Sequence, residues 1–267
     1  MGEIYARLEK DGKLDYADVV RYNDLERMRG RINAHGVRLG TFHYQQMQKL
    51  LEESYSLSYS YMAYAIEQEA SVLLGNASPN MAYLIMQVRD NPITGLHLPA
   101  AVERNRSLIV NDINSAIEEG VKNGETYGTM AKRIQKAFDV SYERALVIAR
   151  TETHRVRERA SYESALNGDK QGIKMDKVWR SMQDERVRHT KRADHVYMNM
   201  TRIPVEQLFQ TKEGKVGPTP GNIYNSPENN IRCRCLTTYK IREVQKPTEK
   251  EQQKVTFEQW QKIKGGA

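Results

Sequence analysis

The chain has 267 residues, with 41 Lys and Arg against 34 Asp and Glu and a formal net charge of +7. This moderately basic balance permits contact with nucleic acid or an acidic partner surface without making the protein a polycation. No apolar run approaches the ~20 residues of a membrane span, and Met1-Gly2-Glu3-Ile4 lacks the basic and apolar regions of a signal peptide, so a soluble protein made in the cytosol is expected. The length suffices for one large core or two modest ones.

From Met1 to Asn80 the pattern reads as helix. A charged, mixed helix over Asp18 to Ile32 precedes a longer one from about Phe42 to Leu74, with Leu50, Leu51, Tyr55, Tyr59, Met62 and Ile66 on one side. Tyr55, Tyr59, Tyr61 and Tyr64 offer faces on which bases could stack, but helical spacing among Leu, Met and Ala favours core or helix-to-helix contact. Asn76 to Asn80 is a loop, Met81 to Val88 a short apolar segment, and Asn91-Pro92 and Leu98-Pro99 punctuate a connector. A second helix from Ala101 carries Val102, Ile109, Ile113, Ala116 and Ile117 to about Val121 and ends at Asn123-Gly124. Thr126 caps a short helix with Met130, Ile134, Ala137 and Phe138 facing one way.

The clearest helix begins at Ser141, a residue suited to the N-cap, and ends at Gly168. Ala145, Ile148, Ala149, Val156 and Ala160 form its apolar stripe, flanked by Arg144, Arg150, Glu152, His154, Arg155, Arg157 and Arg159. Thereafter the period changes. Lys177 to Met182 alternates as a strand, Asp184 to Asp194 is a charged turn, and Val196 to Val205 is a second extended segment broken at Pro204. Gly214 to Pro227, with three prolines and three glycines, is loop. A third strand over Cys233 to Ile241 places Cys233, Cys235, Thr237, Tyr239 and Ile241 on one face. Past Glu243 the tail is polar, with Val255, Phe257, Trp260 and Ile263 marking a short amphipathic helix behind Thr256. The fold class is α+β, a mainly helical N-terminal part followed by a small mixed α/β domain with a few short strands, divided at residues 1–140, 141–242 and 243–267.

The sequence contains no glycine-rich phosphate loop, nucleophile elbow or His-Glu-x-x-His pair. Its two cysteines, Cys233 and Cys235, would close a small strained ring, and in a reducing compartment they stay as thiols. Asp184, His189, Asp194 and His195 join them as metal-binding types, and Asp184, His195, Cys233 and Cys235 form the candidate set for zinc. The competing arrangement has Asp184 and His195 hydrogen-bonded across the loop while the cysteines pack as small apolar groups. Arg186, Arg188, Lys191, Arg192, Arg232 and Arg234 are candidates for phosphate contact, although Asp184, Glu185 and Asp194 interrupt the run as in an ordinary solvated face. Arg150, Glu152 and His154 have the types for acid/base chemistry, but a buried Glu and Arg more often make structural pairs. With no nucleophile or pocket partner to name, no catalytic residue is assigned.

Taken in order, Ala149-Arg150-Thr151-Glu152, Trp179 before Asp184-Glu185-Arg186-Val187-Arg188, His195 with Met198-Asn199 and Pro204, and Asn230-Ile231-Arg232-Cys233-Arg234-Cys235 form a pattern. That pattern resembles the Mu F-like minor head proteins of tailed bacteriophages over about Pro92 to Ile241. Its motif residues are Arg150, Glu152, Trp179, Asp184, Arg186, His195, Cys233 and Cys235. The chain departs from the family in a short insertion holding His189 to Arg192, in Met200 where a Gly is common, and in Asn230-Ile231-Arg232 where His-Pro-Asn is usual. The resemblance implies a virion component rather than an enzyme. Such a protein is packaged in few copies inside the head near the portal and aids procapsid assembly and DNA packaging or ejection. Its implied partners are the portal protein, the major capsid or scaffolding protein, and double-stranded DNA contacted without sequence preference. Two other classes stay open: a metal-dependent nuclease or hydrolase built on Asp184, His195 and the cysteines, and a free nucleic-acid-binding protein using Arg186, Arg188, Lys191 and Arg192.

Overall fold

The computed structural model describes residues 9–10, 13–14, 24–75, 97–245 and 254–265. The expected loop at 76–80, apolar segment at 81–88, Asn91-Pro92 connector and first residues of the tail lie outside these. The chain divides into two compact units, one of Met1–Gln46 with Pro99–Ile148 and one of Met47–Leu98 with Ala149–Ala267. Two long helices, α1 (Asp24–Ala70) and α3 (Tyr127–Lys170), contribute to both. Between them in sequence lies α2 (Leu98–Lys122), which carries Pro99 in its first turn, where a missing N–H breaks no helical bond.

The two helices expected over Asp18 to Leu74 are one, α1, of 47 residues among those described. Gly36 lies in its interior because a Cβ there would stand 2.5 Å from Val110 Cγ2 on α2, so the missing side chain permits close helix packing. A glycine in mid-helix costs roughly 1 kcal/mol against alanine, and the packing offsets it. Gly30 has nothing within 4 Å of its notional Cβ. Gly30→Ala is therefore expected to raise stability by roughly 0.5–1 kcal/mol. Gly36→Ala should lower it by about 1–3 kcal/mol through overpacking against the stiff valine. Urea midpoints of the two variants test this, and a gain at both positions would mean that the α1–α2 approach is looser than a 2.5 Å Cβ contact implies.

Ser141 does not start a helix. It lies inside α3, which runs unbroken for 44 residues, and its Oγ donates to Asn105 Oδ1 at 3.4 Å while its carbonyl accepts from Asn105 Nδ2 at 3.4 Å. The cap-type hydroxyl is used in tertiary packing, and no Gly or Pro nearby interrupts the backbone. Thr126 does cap α3, accepting from the Thr129 N–H at 3.3 Å. The left-handed residue after the helix is Gly172 (φ +95°), not Gly168, which is buried in the last turn against Met175 and Ile66. Met28, Ile117, Val121 and Met130 form one core cluster of the first unit.

In the second unit three antiparallel strands are ordered β6-β3-β9, namely β6 (Arg202–Pro204), β3 (Ile173–Arg180) and β9 (Leu236–Val244). The first strand thus begins at Ile173 rather than Lys177, and the third begins at Leu236, so Cys233 and Cys235 precede it. Trp179 pairs with Thr237 and Asp176 with Lys240. The segment expected to be extended over Val196 to Val205 is split. Residues His195–Met198 form a helical turn, α4, because Asp194 Oδ1 accepts the Tyr197 N–H at 3.0 Å, and only Arg202–Pro204 pairs, with Pro204 on an edge strand where its missing donor is tolerated. The charged turn holds a hairpin of β4 (His189–Thr190) and β5 (Ala193–Asp194), and the expected loop contains β8 (Val216–Gly217), paired with β7 (Phe209–Gln210), and leads into a helical turn, α5 (Pro227–Asn230). The N-terminal part also has an antiparallel strand pair, β1 (Glu9–Lys10) with β2 (Lys13–Leu14), where the sequence pattern reads as helix.

The tail forms the expected helix, α6 (Phe257–Gly265), with Thr256 Oγ1 accepting the Gln259 N–H at 3.3 Å. Trp260 is buried, whereas Ile263, expected on the same face, is 65% exposed. Phe257 packs on Tyr61 and Tyr64 with centroids 5.2 and 5.5 Å apart, and Tyr55 and Tyr59 are buried, in line with a packing role for these tyrosines.

Lys177 is fully buried on β3, donating to the Pro218 carbonyl at 2.8 Å with its Nζ 4.2 Å from the Tyr162 ring centroid. Burial pushes its pKa down to about 7. Between about 7 and the ordinary lysine value of 10.5 the unfolded chain binds a proton that the folded chain does not, so this group makes stability rise with pH in that window. Lys177→Met should flatten the slope of melting temperature against pH from 7 to 10; an unchanged slope would show that Lys177 stays charged in the fold.

Candidate functional site

One face of α3 receives the segments that follow it. The Arg232 N–H donates to Thr151 Oγ1 at 3.1 Å, Asn222 Nδ2 to the Arg155 carbonyl at 3.0 Å, and the Thr237 N–H to Glu158 Oε2 at 3.0 Å. Glu152 and Arg155 pair on this face, with Arg155 Nε and Nη2 at 3.0 and 2.9 Å from Glu152 Oε2 and side-chain exposures of 1% for Arg155 and 3% for Glu152. Burial raises Glu158 to about 8 and lowers His154 to about 4, so both are mainly neutral at pH 7. Arg150 is exposed and lines a groove of about 980 Å³ with Leu57, Tyr61, Arg157, Met182 and Arg234. Arg150 and His154 border the same groove, whereas the Glu152 carboxylate lies outside its lining, buried with Arg155.

Around Trp179 on β3, Met198, Phe209, Ile223, Cys233 and Cys235 form a core cluster of the second unit. His195 packs edge-on against Trp179, with its Nδ1 3.3 Å from Cys235 Sγ and 3.7 Å from Cys233 Sγ. Its Nε2 is 3.1 Å from Asn229 Oδ1, while Asn229 Nδ2 donates to Ser226 Oγ at 2.8 Å and to the Arg192 carbonyl at 3.3 Å. Asn230 completes the loop, its Nδ2 donating to the carbonyls of Ile223 and Ser226 and its Oδ1 accepting the Ile223 N–H. Sequence reasoning missed Asn222, Ser226 and Asn229, and quoted Asn230 only as part of the family pattern. All four are buried polar residues, and nothing in a loop-like composition distinguishes them from solvated ones.

Asp184 stands apart from the cysteines. Both its oxygens accept from Arg234, at 2.7 and 2.5 Å, and Arg186 adds a weaker contact; the Arg234 guanidinium holds this carboxyl well below the usual carboxylate range. The alternative of an Asp184–His195 hydrogen bond is thus overturned, because each finds another partner. Of the six candidate phosphate-binding cations, Arg234 is engaged with Asp184, and Arg188 reaches the carbonyls of Asn229 and Ile231. Arg186, Lys191, Arg192 and Arg232 are exposed.

The family described as "Phage Mu protein F like protein" matches residues 111–238, a span that includes every motif residue from Arg150 to Cys235. The "Minor head protein GP7" of Bacillus phage SPP1 is 32% identical over 241 residues, covering 90% of this chain and 76% of that protein. The chain belongs to the Mu F-like family of phage minor head proteins. It is accordingly a head morphogenesis protein and a component of the virion head, which favours a structural role over a catalytic one. The chain is also 26% identical over 174 residues to "NAD(+)--arginine ADP-ribosyltransferase EFV" of Enterococcus faecalis (strain ATCC 700802 / V583), and spans about a third of that protein's length, 34%. No solved structure matches significantly. Among the described residues no helix of this Mu F-like protein is long and apolar enough to cross a membrane.

Proposed function

We propose that this Mu F-like protein is packaged in few copies inside the head at the portal vertex, where it aids procapsid assembly and DNA packaging or ejection. The similarity to GP7 along 90% of the chain carries the reading. Apolar residues left exposed on the long helices support it. Within the first unit Leu39, Phe42, Phe138 and Tyr142, from 47% to 63% exposed, border a groove of about 340 Å³ that includes Val102 and Ile109. An apolar patch of this kind suits docking on a larger partner. On this reading residues 1–140 supply the surface that faces the portal protein, the major capsid protein or the scaffold, and residues 141–242 form the compact Mu F-like module. The exposed cations Arg186, Lys191, Arg192 and Arg232 give that module a basic edge for DNA backbone contact.

Quantitative mass spectrometry of scaffold-filled procapsids, DNA-filled heads and particles emptied by triggered ejection tests the location. A few copies per particle from the procapsid stage onward are expected, and absence from every particle would reject the reading. For DNA contact, Lys191→Glu with Arg192→Glu should weaken binding to any duplex alike and reduce the salt slope by about 1 per lost phosphate contact. Unchanged affinity would make this edge an ordinary solvated face.

A further inference from the structure

We propose that His195 Nδ1, Cys233 Sγ and Cys235 Sγ bind a thiophilic divalent cation of the zinc class, which pins together the loop-rich core around Trp179. These three ligand atoms lie within 4.8 Å of one another and all three residues are buried. Zinc takes thiolate at about 2.3 Å and imidazole at about 2.0 Å, so tetrahedral angles set sulfur and nitrogen roughly 3.5 Å apart. The observed separations from Nδ1, 3.3 and 3.7 Å, bracket that value.

The hydrogen bonds around the ring fix which nitrogen is available. Asn229 donates through Nδ2 to Ser226 Oγ and the Arg192 carbonyl, so its Oδ1 is the acceptor facing His195 Nε2. The imidazole proton therefore resides on Nε2, and Nδ1 presents its lone pair to both sulfurs. An N–H anchored to an amide oxygen behind the ring is the arrangement that orients a metal-binding histidine. Two thiolates, a neutral imidazole and a divalent cation sum to zero charge, which suits an enclosed site.

Asp184 is not a ligand, since Arg234 holds both its oxygens. The cation instead joins α4 to the segment before β9, across a region whose β4, β5, β7 and β8 are two residues each. So small a core gains much from one such link. The site consists of these side chains alone, wherever in the head the protein resides.

Elemental analysis of the purified full-length protein is the test. About one zinc per chain is expected, with X-ray absorption showing two sulfur neighbours per metal. Asp184→Asn should keep the metal, and Cys233→Ser and His195→Ala should lose it. Because those variants could fail to fold, the wild-type protein supplies an independent readout: chelation should lower its melting temperature, zinc should restore it, and cobalt should produce a sulfur-to-metal charge-transfer band. Protein without metal that melts identically with chelator and with zinc, or zinc retained at full stoichiometry when Cys233 and His195 are both replaced, would overturn the site.

Discussion

Glu152→Ala should destabilise the protein by about 3–5 kcal/mol, because it leaves the Arg155 guanidinium in a buried position without its carboxylate. Both side chains are almost wholly enclosed, and Arg155 reaches Glu152 Oε2 through two nitrogens at 3.0 and 2.9 Å. The loss should appear as a lower denaturant midpoint with an unchanged slope. Replacing both residues with methionine should recover most of it, since a buried pair is costly to break but often near neutral to replace by apolar groups of similar volume. If the double variant is as unstable as Glu152→Ala, the pair is not what limits stability. Arg150, two residues earlier on the same helix and exposed, serves as a control for which a change of under about 0.5 kcal/mol is expected.

The second large effect concerns the tail. Glu67 is fully buried on α1 and its carboxylate accepts from three donors, the Leu74 N–H at 2.8 Å, Trp260 Nε1 at 2.6 Å and Lys264 Nζ at 2.7 Å. Glu67→Ala leaves the Leu74 and Trp260 donors unpaired at about 1–3 kcal/mol each, and Trp260→Ala removes a large buried side chain at about 3–5 kcal/mol. Either change should detach α6, so that limited proteolysis cuts the tail well before the rest of the chain. Combined, the two should cost much less than their sum, because they disrupt the same contact. Strict additivity would show that Glu67 and Trp260 act separately.

These two clusters mark where sequence reasoning succeeds. Trp260 is legible as an anchor because Val255, Phe257 and Trp260 recur at helical spacing behind a capping Thr256. The α+β order is legible too, since the hydrophobic period changes after Gly168 and that change is a local property of the chain. Family membership is legible because its motifs are short, ordered and made of distinctive residues. Helix ends are less so: Ser141 and Gly36 have the chemistry of boundaries, yet one bonds to Asn105 and the other admits Val110, and neither neighbour is near in sequence.

The candidate site divides along the same line. Sequence alone named His195, Cys233 and Cys235 as metal-binding types, because imidazole and thiol chemistry belongs to the residue wherever it sits. Only the tertiary structure removed Asp184 from that group, by giving Arg234 both its oxygens, and brought in Asn229, whose amide sets the His195 proton. It likewise set Glu67 against Trp260, 193 residues away in sequence. What a residue can do is written in its side chain, whereas which groups meet follows from chain crossings that bury polar atoms and oblige each to find a partner.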